Sequence, residues 1–219
     1  MPSLCASEGC GNSMTRASKQ SPWASTRDRD AEREEKIEAL LDAAAAAFSE
    51  NGYHRTSLGS IADRLGITKP TLYYYCSGKE DLMMKVSSRG LDRILSDVGA
   101  DIHSSGLDQL RAMLRRMVEW VATDSGKTTV LLNDSDLSEP NSTEVVRRKR
   151  AIDRQIRTLL AKGVADHSIA PCDVRLSALM LASAISGIAR WYKSGSDLSA
   201  TALSEIFVNQ LTMGLKPRE

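Results

Sequence analysis

The spacing of apolar residues predicts helices along the chain from about residue 27 onward. Apolar positions recur every three or four residues, which is the repeat of an amphipathic helix, and no segment alternates as a half-buried strand does. Asn51-Gly52 supplies the stop of the first helix. The apolar face of that helix consists of Ile37, Leu40, Leu41, Ala44 and Phe48. The pattern therefore predicts an all-α protein.

Two short helices are predicted next, with a sharp turn between them. The first ends at Gly66, and Thr68 caps the second, whose first turn tolerates Pro70. Leu72 and Cys76 lie four residues apart on the second helix and are expected to point into the core. The apolar face of the first short helix consists of Leu58, Ile61, Ala62 and Leu65. Two short helices joined by a turn with glycine form a helix-turn-helix.

The rest of the chain also has helical periodicity. Ser77-Gly78-Lys79-Glu80 matches a capping box and predicts a long fourth helix over 79–98. Further helices are predicted over 107–121 and 127–133. A loop at 134–141 separates these from a long helix that follows it. Another helix is predicted to start at Pro171, and the last is predicted over 200–215. The buried side of the helix after the loop is expected to contain Val145, Ile152, Ile156, Leu159 and Gly163. The segment 176–192 is apolar nearly all round, which is typical of a helix buried on more than one side.

The composition is that of an ordinary globular protein, with 42% hydrophobic and 26% charged residues. No apolar run approaches the ~18 residues of a membrane span. The N-terminal segment lacks the basic region and apolar core of a secretory signal. We therefore expect a cytoplasmic protein without a membrane segment. The net charge of +1 does not indicate whether the chain binds nucleic acid, so only local clusters of charge are informative.

The reactive residue types favour neither a metal site nor catalysis. The four cysteines, at positions 5, 10, 76 and 172, form no C-x-x-C pair, and only three histidines accompany them. We expect no zinc site and, in a reducing cytosol, no disulfide. No nucleophile elbow, phosphate loop or metal-ligand spacing argues for an enzyme, and no cofactor is expected. A nucleoid-type DNA binder without a ligand would need a basic surface throughout, and the chain does not supply one.

The outer face of the second short helix has the chemistry of a DNA-reading surface. Pro70, Thr71 and Tyr74 are expected on the side opposite the core, with Lys69 and Tyr73 at the flank. Hydroxyls, an ammonium group and flat rings suit base edges and thymine methyls in a major groove. Four basic residues lie between positions 51 and 79 against one acid, Asp63, and this local excess would face phosphates. The four are Arg55, Arg64, Lys69 and Lys79.

Residues 52–82 resemble the TetR/AcrR family of bacterial repressors. Many positions agree at fixed spacing without a gap, and the helical architecture extends the likeness over residues 27–215. Two positions depart from the family pattern: Cys76, where the family usually has Phe, and Gly59 inside a helix. The matching segments are Gly52-Tyr53, Thr56-Ser57, Ile61-Ala62, Leu65-Gly66-Ile67, Thr68-Lys69-Pro70-Thr71-Leu72-Tyr73 and Lys79-Glu80-Asp81-Leu82.

The resemblance implies three segments and a set of DNA contacts. The segments are a flexible arm at 1–26, a DNA-binding domain at 27–80 in the form of a three-helix bundle, and a larger helical domain at 81–216 for ligand binding and dimerisation. Thr56, Ser57 and Lys79 would bind phosphate, and Tyr73 and Tyr75 would reach the DNA backbone. Core packing is the alternative for the tyrosines, and ordinary solvation for the lysines. The residues expected at or beside the bases are Thr68, Lys69, Pro70, Thr71 and Tyr74.

The resemblance also implies a homodimer and a small-molecule inducer. Two chains would read an inverted-repeat operator, and the last two helices would form the dimer interface, where Ala178, Ala182, Gly187 and Ala189 permit close approach. Candidates to line an adaptable apolar pocket are Met113, Met117, Trp120, Met180, Ala184, Ile188 and Trp191. Ordinary core packing is the alternative for each of them.

The class of inducer has two readings. The end of the chain, SGIARWYKSGSDLS and FVNQLTMGL, is weakly similar to a subgroup that senses acyl-CoA thioesters, and Arg190 could bind the anionic part of such a ligand or pair with an acid. The alternative is a regulator of drug efflux that responds to uncharged or cationic aromatic compounds. The basic run 147–150 is expected to be a solvated helix face, and Cys5 and Cys10 are expected to be incidental.

Overall fold

The computed structural model describes residues 29–96, 103–193 and 195–216, and within these ranges the regular structure is helical, as predicted. A short 3₁₀ turn at Asp134–Asp136 lies in the predicted loop. The predicted arm, with Cys5 and Cys10, lies outside the described residues. The helices are α1 (Arg29–Asn51), α2 (Leu58–Leu65), α3 (Lys69–Tyr73), α4 (Lys79–Ser96), α5 (Gly106–Val121), α6 (Asp124–Leu131), α7 (Asn141–Ala165), α8 (Val174–Trp191) and α9 (Ala200–Met213).

The chain divides into a small unit, residues 1–36, and a large unit, residues 37–219. The described part of the small unit is the start of α1, where Lys36 forms an ion pair with Glu32 one turn earlier. The large unit contains the rest of α1 and all the other helices. The predicted boundary between DNA-binding and ligand-binding domains, at residue 80, stays a prediction.

Local capping interactions determine where the helices of the helix-turn-helix begin and end. Ser57 caps α2, because its hydroxyl accepts a hydrogen bond from the Ser60 N–H at 3.0 Å. Gly66 ends α2 in the left-handed conformation with φ of 66°, which glycine adopts without a steric penalty. Thr68 caps α3, with Pro70 in the first turn. The end of α2 at Gly66 and the Thr68 cap with Pro70 are as the sequence predicted, whereas the Ser57 cap was not predicted.

Helix α4 starts at Lys79 as predicted but is capped differently, and the helix predicted from Pro171 starts later than expected. The carboxylate that accepts from the Ser77 N–H belongs to Asp81, at 2.8 Å, and not to Glu80 as the predicted capping box required. Glu80 instead accepts hydrogen bonds from Ser138 and Asn141. The helix predicted from Pro171 begins only at Val174, because the Asp173 side chain caps it.

The large unit has two clusters of buried apolar side chains. The first cluster joins α1 to the helix-turn-helix, and the predicted core residues Leu72 and Cys76 belong to it. It also contains Leu132, Leu137 and Val145, from the α6–α7 loop and the start of α7. The second cluster lies among α4, α5, α7, α8 and α9. The α6–α7 segment therefore contributes to the same apolar cluster as the helix-turn-helix.

Two glycines allow helices to approach closely. A Cβ at Gly90 of α4 would lie 1.9 Å from the Trp120 Nε1 atom of α5, so the indole occupies the space that a side chain would need. A Cβ at Gly106 of α5 would lie 2.2 Å from the backbone nitrogen of Gly163 in α7. These contacts position α5 against both α4 and α7.

An apolar surface is exposed along α8 and α9, the two helices predicted to form a dimer interface. Met180 is 72% exposed and Met213 is 69% exposed. Ala178 and Ala189, expected at the interface, are instead buried within the chain, whereas Gly187 has open space around it. The other large exposed apolar side chains on these helices are Leu176, Leu179, Trp191 and Ile206. Within the described ranges, no helix combines the length and apolarity required to cross a membrane.

Candidate DNA-binding surface and ligand cavity

The outer face of α3 presents most of the side chains predicted to read DNA. Tyr74 is 73% exposed and Tyr73 is 56% exposed. Lys69 and Pro70 are also exposed, and Thr71 is half-buried. This face is held in place from the inner side, where Leu72 is fully buried. The structure thus places these predicted residues together on one accessible surface.

The flanks of α3 are held by local contacts. The hydroxyls of Thr68 and Thr71 lie 2.9 Å apart. The Tyr75 ring is half-buried and packs edge-on against Tyr74, with centroids 5.0 Å apart. A Cβ at Gly59 of α2 would lie 2.7 Å from the Lys69 side chain, so the glycine leaves room for the Lys69 stem. Because the end of an exposed lysine side chain can move at little cost, this contact does not by itself explain the glycine.

Thr56 is placed where it cannot serve as the predicted phosphate ligand. Its residue surface is 3% exposed, and its hydroxyl donates to the carbonyl oxygens of Ala47 and Gly52 at 3.1 and 2.9 Å. Its backbone N–H donates to the Tyr53 carbonyl. Both predicted donors are therefore used to close the turn between α1 and α2. Ser57, which caps α2, remains exposed.

Lys79 has intramolecular contacts that indicate a structural role, and the predicted phosphate contact stays a prediction. Its ammonium group donates to the carbonyl oxygens of Tyr53, His54 and Thr56 at 3.0, 3.3 and 3.2 Å. It lies 4.5 Å from the centroid of the Tyr53 ring, within the range of a cation–π interaction. An ammonium group has three donors, and three carbonyls accept from it here. Lys79 therefore ties the start of α4 to the α1–α2 turn.

The local excess of positive charge is smaller than the sequence count suggested. Arg64 forms a bidentate pair with Glu50, with nitrogen–oxygen distances of 2.9 and 2.6 Å. The hydrogen bond from Arg64 lowers the pKa of Glu50, and the same bond raises the pKa of Arg64. Glu50 lies one residue outside the counted window, so the count missed it. With Lys79 also engaged, Lys69 and Arg55 are the exposed members of the predicted set for which the described residues supply no acidic partner.

The α6–α7 loop and the start of α7 form polar contacts with α4 and the α1–α2 turn that the sequence analysis missed. Glu80 accepts from the Ser138 N–H and hydroxyl, both at 2.7 Å, and from the Asn141 amide at 2.9 Å. The hydrogen bonds from Asn141 and Ser138 lower the pKa of Glu80. His54 lies 3.0 Å from Asp136 and lowers the pKa of that carboxyl. No periodicity connects positions so far apart in sequence.

A mostly apolar cavity of about 340 Å³ lies in the C-terminal half of the chain. Three of the eight residues predicted to bind a ligand line it: Met117, Trp120 and Arg190. We call it the apolar cavity. Its other lining residues are Leu91, Ile94, Val121, Thr129, Val130, Lys149, Ile152, Ala182, Ile185 and Ser186.

The other five predicted ligand residues do not line this cavity. Met113 and Ile188 are fully buried in the second apolar cluster, where they contact the protein core. Met180 and Trp191 are exposed on the outer side of α8, because the helix turns them away from the core. Ala184 is half-buried but absent from the cavity wall. Apolarity marks residues that avoid water but does not distinguish a core from a cavity or an interface.

Lys149 is a cavity residue that the sequence analysis assigned to a solvated basic run. It lies with Arg190 among the lining residues, so two cations accompany a mainly apolar wall. Two other members of that run, Arg147 and Arg148, both pair with Glu144, whose pKa these hydrogen bonds lower to about 2. The run is therefore divided between surface ion pairs and the cavity.

The described residues contain no cluster of His, Cys, Asp and Glu that could hold a metal ion. Cys76 and Cys172 are free thiols. Burial raises the pKa of Cys76, so this thiol is protonated at neutral pH and packs as a small apolar side chain.

Two family models match separate regions of the chain. Residues 40–86 match the model described as bacterial regulatory proteins, tetR family. Residues 103–215 match the tetracyclin repressor-like C-terminal domain, and this match alone covers more than half of the chain.

Curated relatives with similar sequences are transcriptional regulators. The repressor KstR2 of Rhodococcus jostii is 27% identical over 183 residues, which cover 80% of this chain and 89% of that protein. The activator FasR of Mycolicibacterium smegmatis is 31% identical over 110 residues, so the alignment spans 49% of this chain and half of FasR.

Solved structures share the fold at low sequence identity. KstR2 of Mycobacterium tuberculosis, described as a ketosteroid transcriptional regulator, superposes with a TM-score of 0.75 and 22% identity, over 84% of this chain and 96% of that one. AibR in complex with isovaleryl coenzyme A and operator DNA has a TM-score of 0.68 and 22% identity, over 80% and 96%. The fold, the helix-turn-helix and the two matching models agree, and the chain belongs to the TetR family of bacterial regulatory proteins.

Proposed function

We propose that this protein is a dimeric, cytoplasmic repressor that binds a palindromic operator and dissociates from it when an apolar molecule with an anionic group binds the chain. The observation that supports this function best is the exposed face of α3, where Lys69, Pro70 and Tyr74 project from a helix that Leu72 anchors. Such a face enters a major groove in helix-turn-helix proteins. The role is regulatory rather than catalytic, as it is for the relatives.

A dimer is expected because one helix-turn-helix can contact only half of an inverted repeat. A single recognition helix reads one half-site, so specific binding to an inverted repeat needs two copies with two-fold symmetry. The exposed apolar surface on α8 and α9, which includes Met180, Ile206 and Met213, is the surface that a second copy would cover. An apolar surface of this kind typically marks an association site.

The composition of the apolar cavity favours an acyl-type ligand over a cationic drug. Lys149 and Arg190 line the cavity and the described lining contains no acidic side chain, so a cationic compound would find no opposite charge in the wall. A ligand with an apolar part and an acidic part would gain from the wall and from the cations. The descriptions of AibR with isovaleryl coenzyme A and of KstR2 as a ketosteroid regulator support an acyl-CoA thioester. We favour repression because the KstR2 alignment covers more of the chain than the FasR alignment does.

Helix α4 is the proposed connection between ligand and DNA. Leu91 and Ile94, near its end, line the apolar cavity, and Lys79, at its start, is bonded to the α1–α2 turn. A ligand that binds better to a conformation with displaced α4 helices would shift the population toward a form that cannot fit adjacent grooves. A coupling of ~3 kcal/mol would weaken operator binding about 150-fold.

The DNA-binding surface predicts different outcomes for residues that the sequence treated alike. We expect Tyr74→Ala to weaken operator binding about tenfold and alter sequence preference. Lys69→Ala should lower the salt slope of binding by about one unit. Lys79→Ala should chiefly lower the melting temperature, because three carbonyls lose their donor. The expected decrease in the free energy of unfolding is about 1–3 kcal/mol. Salt-dependent anisotropy and thermal unfolding measure these effects, with Lys193→Ala as the charge-matched control. A Lys79→Ala protein of unchanged stability would contradict the structural role.

The ligand class is tested by displacing the protein from a fluorescent operator fragment. We expect release by fatty acyl-CoA or steroid-derived CoA thioesters, and weaker or no release by free CoA and by uncharged aromatic drugs. The reason is that the apolar wall and the cations both contribute to binding. Release by the drugs alone would contradict the thioester proposal and leave the DNA-binding role intact. If free CoA released the operator as strongly as its thioesters do, the apolar cavity would not contribute to inducer binding.

A further inference from the structure

A second cavity, of about 270 Å³, lies between α4 and α5 and shares Ile94 and Trp120 with the apolar cavity. We call it the α4–α5 cavity. Its other lining residues are Gly90, Arg93, Arg116, Glu119 and Thr123. Two cavities with common wall residues are close enough for one elongated molecule to contact both.

Two buried hydrogen-bond donors in the wall of the α4–α5 cavity have no partner among the described residues. They are the Nε1 atom of Trp120 and the Nε atom of Arg116. Indole and guanidinium nitrogens can only donate, so their missing partner must be an acceptor such as an oxygen atom. Buried polar groups without partners are rare in native proteins, so two of them beside one cavity favour an acceptor in that region, either water or part of a ligand.

The charges around the α4–α5 cavity favour an anionic acceptor. Arg93 contributes an exposed guanidinium from α4, and Arg116 contributes a second one from α5. Glu119 is the one acidic residue in the described wall, and its carboxylate already accepts from the Ser204 hydroxyl at 3.1 Å. Arginine side chains bind carboxylates and phosphates through paired N–H groups, so a wall with two guanidinium groups suits such a ligand.

We propose that the α4–α5 cavity binds the anionic group of the inducer, a phosphate or carboxylate, while the apolar part of the same molecule occupies the apolar cavity. This inference rests on the proposed function, because it assigns the polar end of that ligand. The volume of the apolar cavity is near the lower limit for a drug-sized molecule, so an amphipathic inducer would extend beyond it. The rival position for the anion is beside Arg190.

The position of Arg93 links this site to regulation. Arg93 belongs to α4, which leads to the helix-turn-helix, whereas Arg116 and Trp120 belong to α5. An anion bound by both arginines would connect the two helices and stabilise one arrangement of α4 over others. The anionic group would then supply much of the difference in affinity between the two arrangements of α4. The apolar group would bind both arrangements alike.

The experiment follows Trp120 fluorescence in the full-length protein with Trp23→Phe and Trp191→Phe. Dodecanoyl-CoA, dodecanoic acid, CoA and dodecanol are titrated as probes. We expect Arg93→Gln and Arg116→Gln each to raise the Kd for dodecanoyl-CoA about tenfold or more, and to leave dodecanol binding unchanged. Arg154→Gln, an exposed position on α7, is the matched control, and Arg116→Lys should retain part of the affinity. The relative effects on dodecanoic acid and on CoA distinguish a carboxylate site from a phosphate site.

Two results would overturn the proposal. One is a larger loss of dodecanoyl-CoA affinity in Arg190→Gln than in either cavity variant. The other is the absence of a saturable response of Trp120 to any charged probe in the unsubstituted protein. Circular dichroism establishes that each variant is folded, and Arg93→Gln changes an exposed side chain, so at least one variant reports on binding alone.

Operator release separates this proposal from the proposed function. If dodecanoyl-CoA releases operator DNA equally from the unsubstituted protein and from both cavity variants, the regulatory function stands and the anion site is wrong. If the variants lose probe affinity but no probe releases DNA, the anion site stands and the ligand-release function is wrong.

Discussion

A protein with Met180→Glu and Ile206→Glu is expected to be a folded monomer that binds operator DNA at least about 100-fold more weakly. Both side chains lie on the exposed apolar surface of α8 and α9 and contribute little to the described core. Two glutamates in a closed interface would be buried without partners, at a cost of several kcal/mol. Loss of the dimer removes the second half-site contact, and linked sites typically contribute a factor of 10² to 10⁴.

Light scattering and operator anisotropy check this result on the same samples. Thr158→Glu, at an exposed polar position of α7, is the control and should remain dimeric with unchanged operator affinity. A doubly substituted protein that stays a folded dimer would place the interface elsewhere. This pair is a sharper probe than Phe207 or Ala182, because both of these side chains pack partly against the core.

Gly90→Val is expected to lower the free energy of unfolding by about 3 kcal/mol. The new Cβ would lie 1.9 Å from Trp120 Nε1 and 2.5 Å from Cε2, so α4 and α5 must separate or the indole must move. Valine has a higher helix propensity than glycine, and a loss of stability in spite of that gain would identify the clash as the cause. Denaturant unfolding followed by circular dichroism measures the difference.

A double-mutant cycle with Trp120→Leu tests that explanation. If the indole causes the clash, Gly90→Val should cost at least 1 kcal/mol less in the Trp120→Leu background than in the unsubstituted protein. Equal costs in the two backgrounds would show that Trp120 is not what excludes a side chain at Gly90. The same cycle measures how strongly α4 is coupled to the residue that lines both cavities.

The DNA-reading surface was predictable because it depends on local structure. The caps at Ser57 and Thr68, the left-handed Gly66 and the four-residue spacing of Leu72 and Cys76 act over a few residues. Once α3 forms with its apolar side inward, the helical repeat leaves Tyr74 and Pro70 outside. Family resemblance and periodicity therefore agreed with the observed placement of the exposed side chains.

The phosphate ligands were less predictable because hydroxyl and ammonium groups have more than one use. Thr56 and Lys79 are polar residues at the positions that the family pattern assigns to DNA, yet each bonds to carbonyl oxygens of the α1–α2 turn. Those carbonyls belong to residues up to 26 positions away. Neither residue type nor spacing reveals such an acceptor before the chain is folded.

The sequence by itself determined the helical class, the helix-turn-helix, its exposed face and the family, because capping and periodicity act between residues near each other in the chain. Only the tertiary structure decided which apolar residues form a core, a cavity or an exposed surface. Met113, Met117 and Met180 are alike in type, but the first is buried, the second lines the apolar cavity and the third faces outward. The same holds for Trp120 and Arg116, whose role at the α4–α5 cavity depends on how α4 packs against α5. Burial depends on which helices meet, and that is a property of the whole chain rather than of any segment.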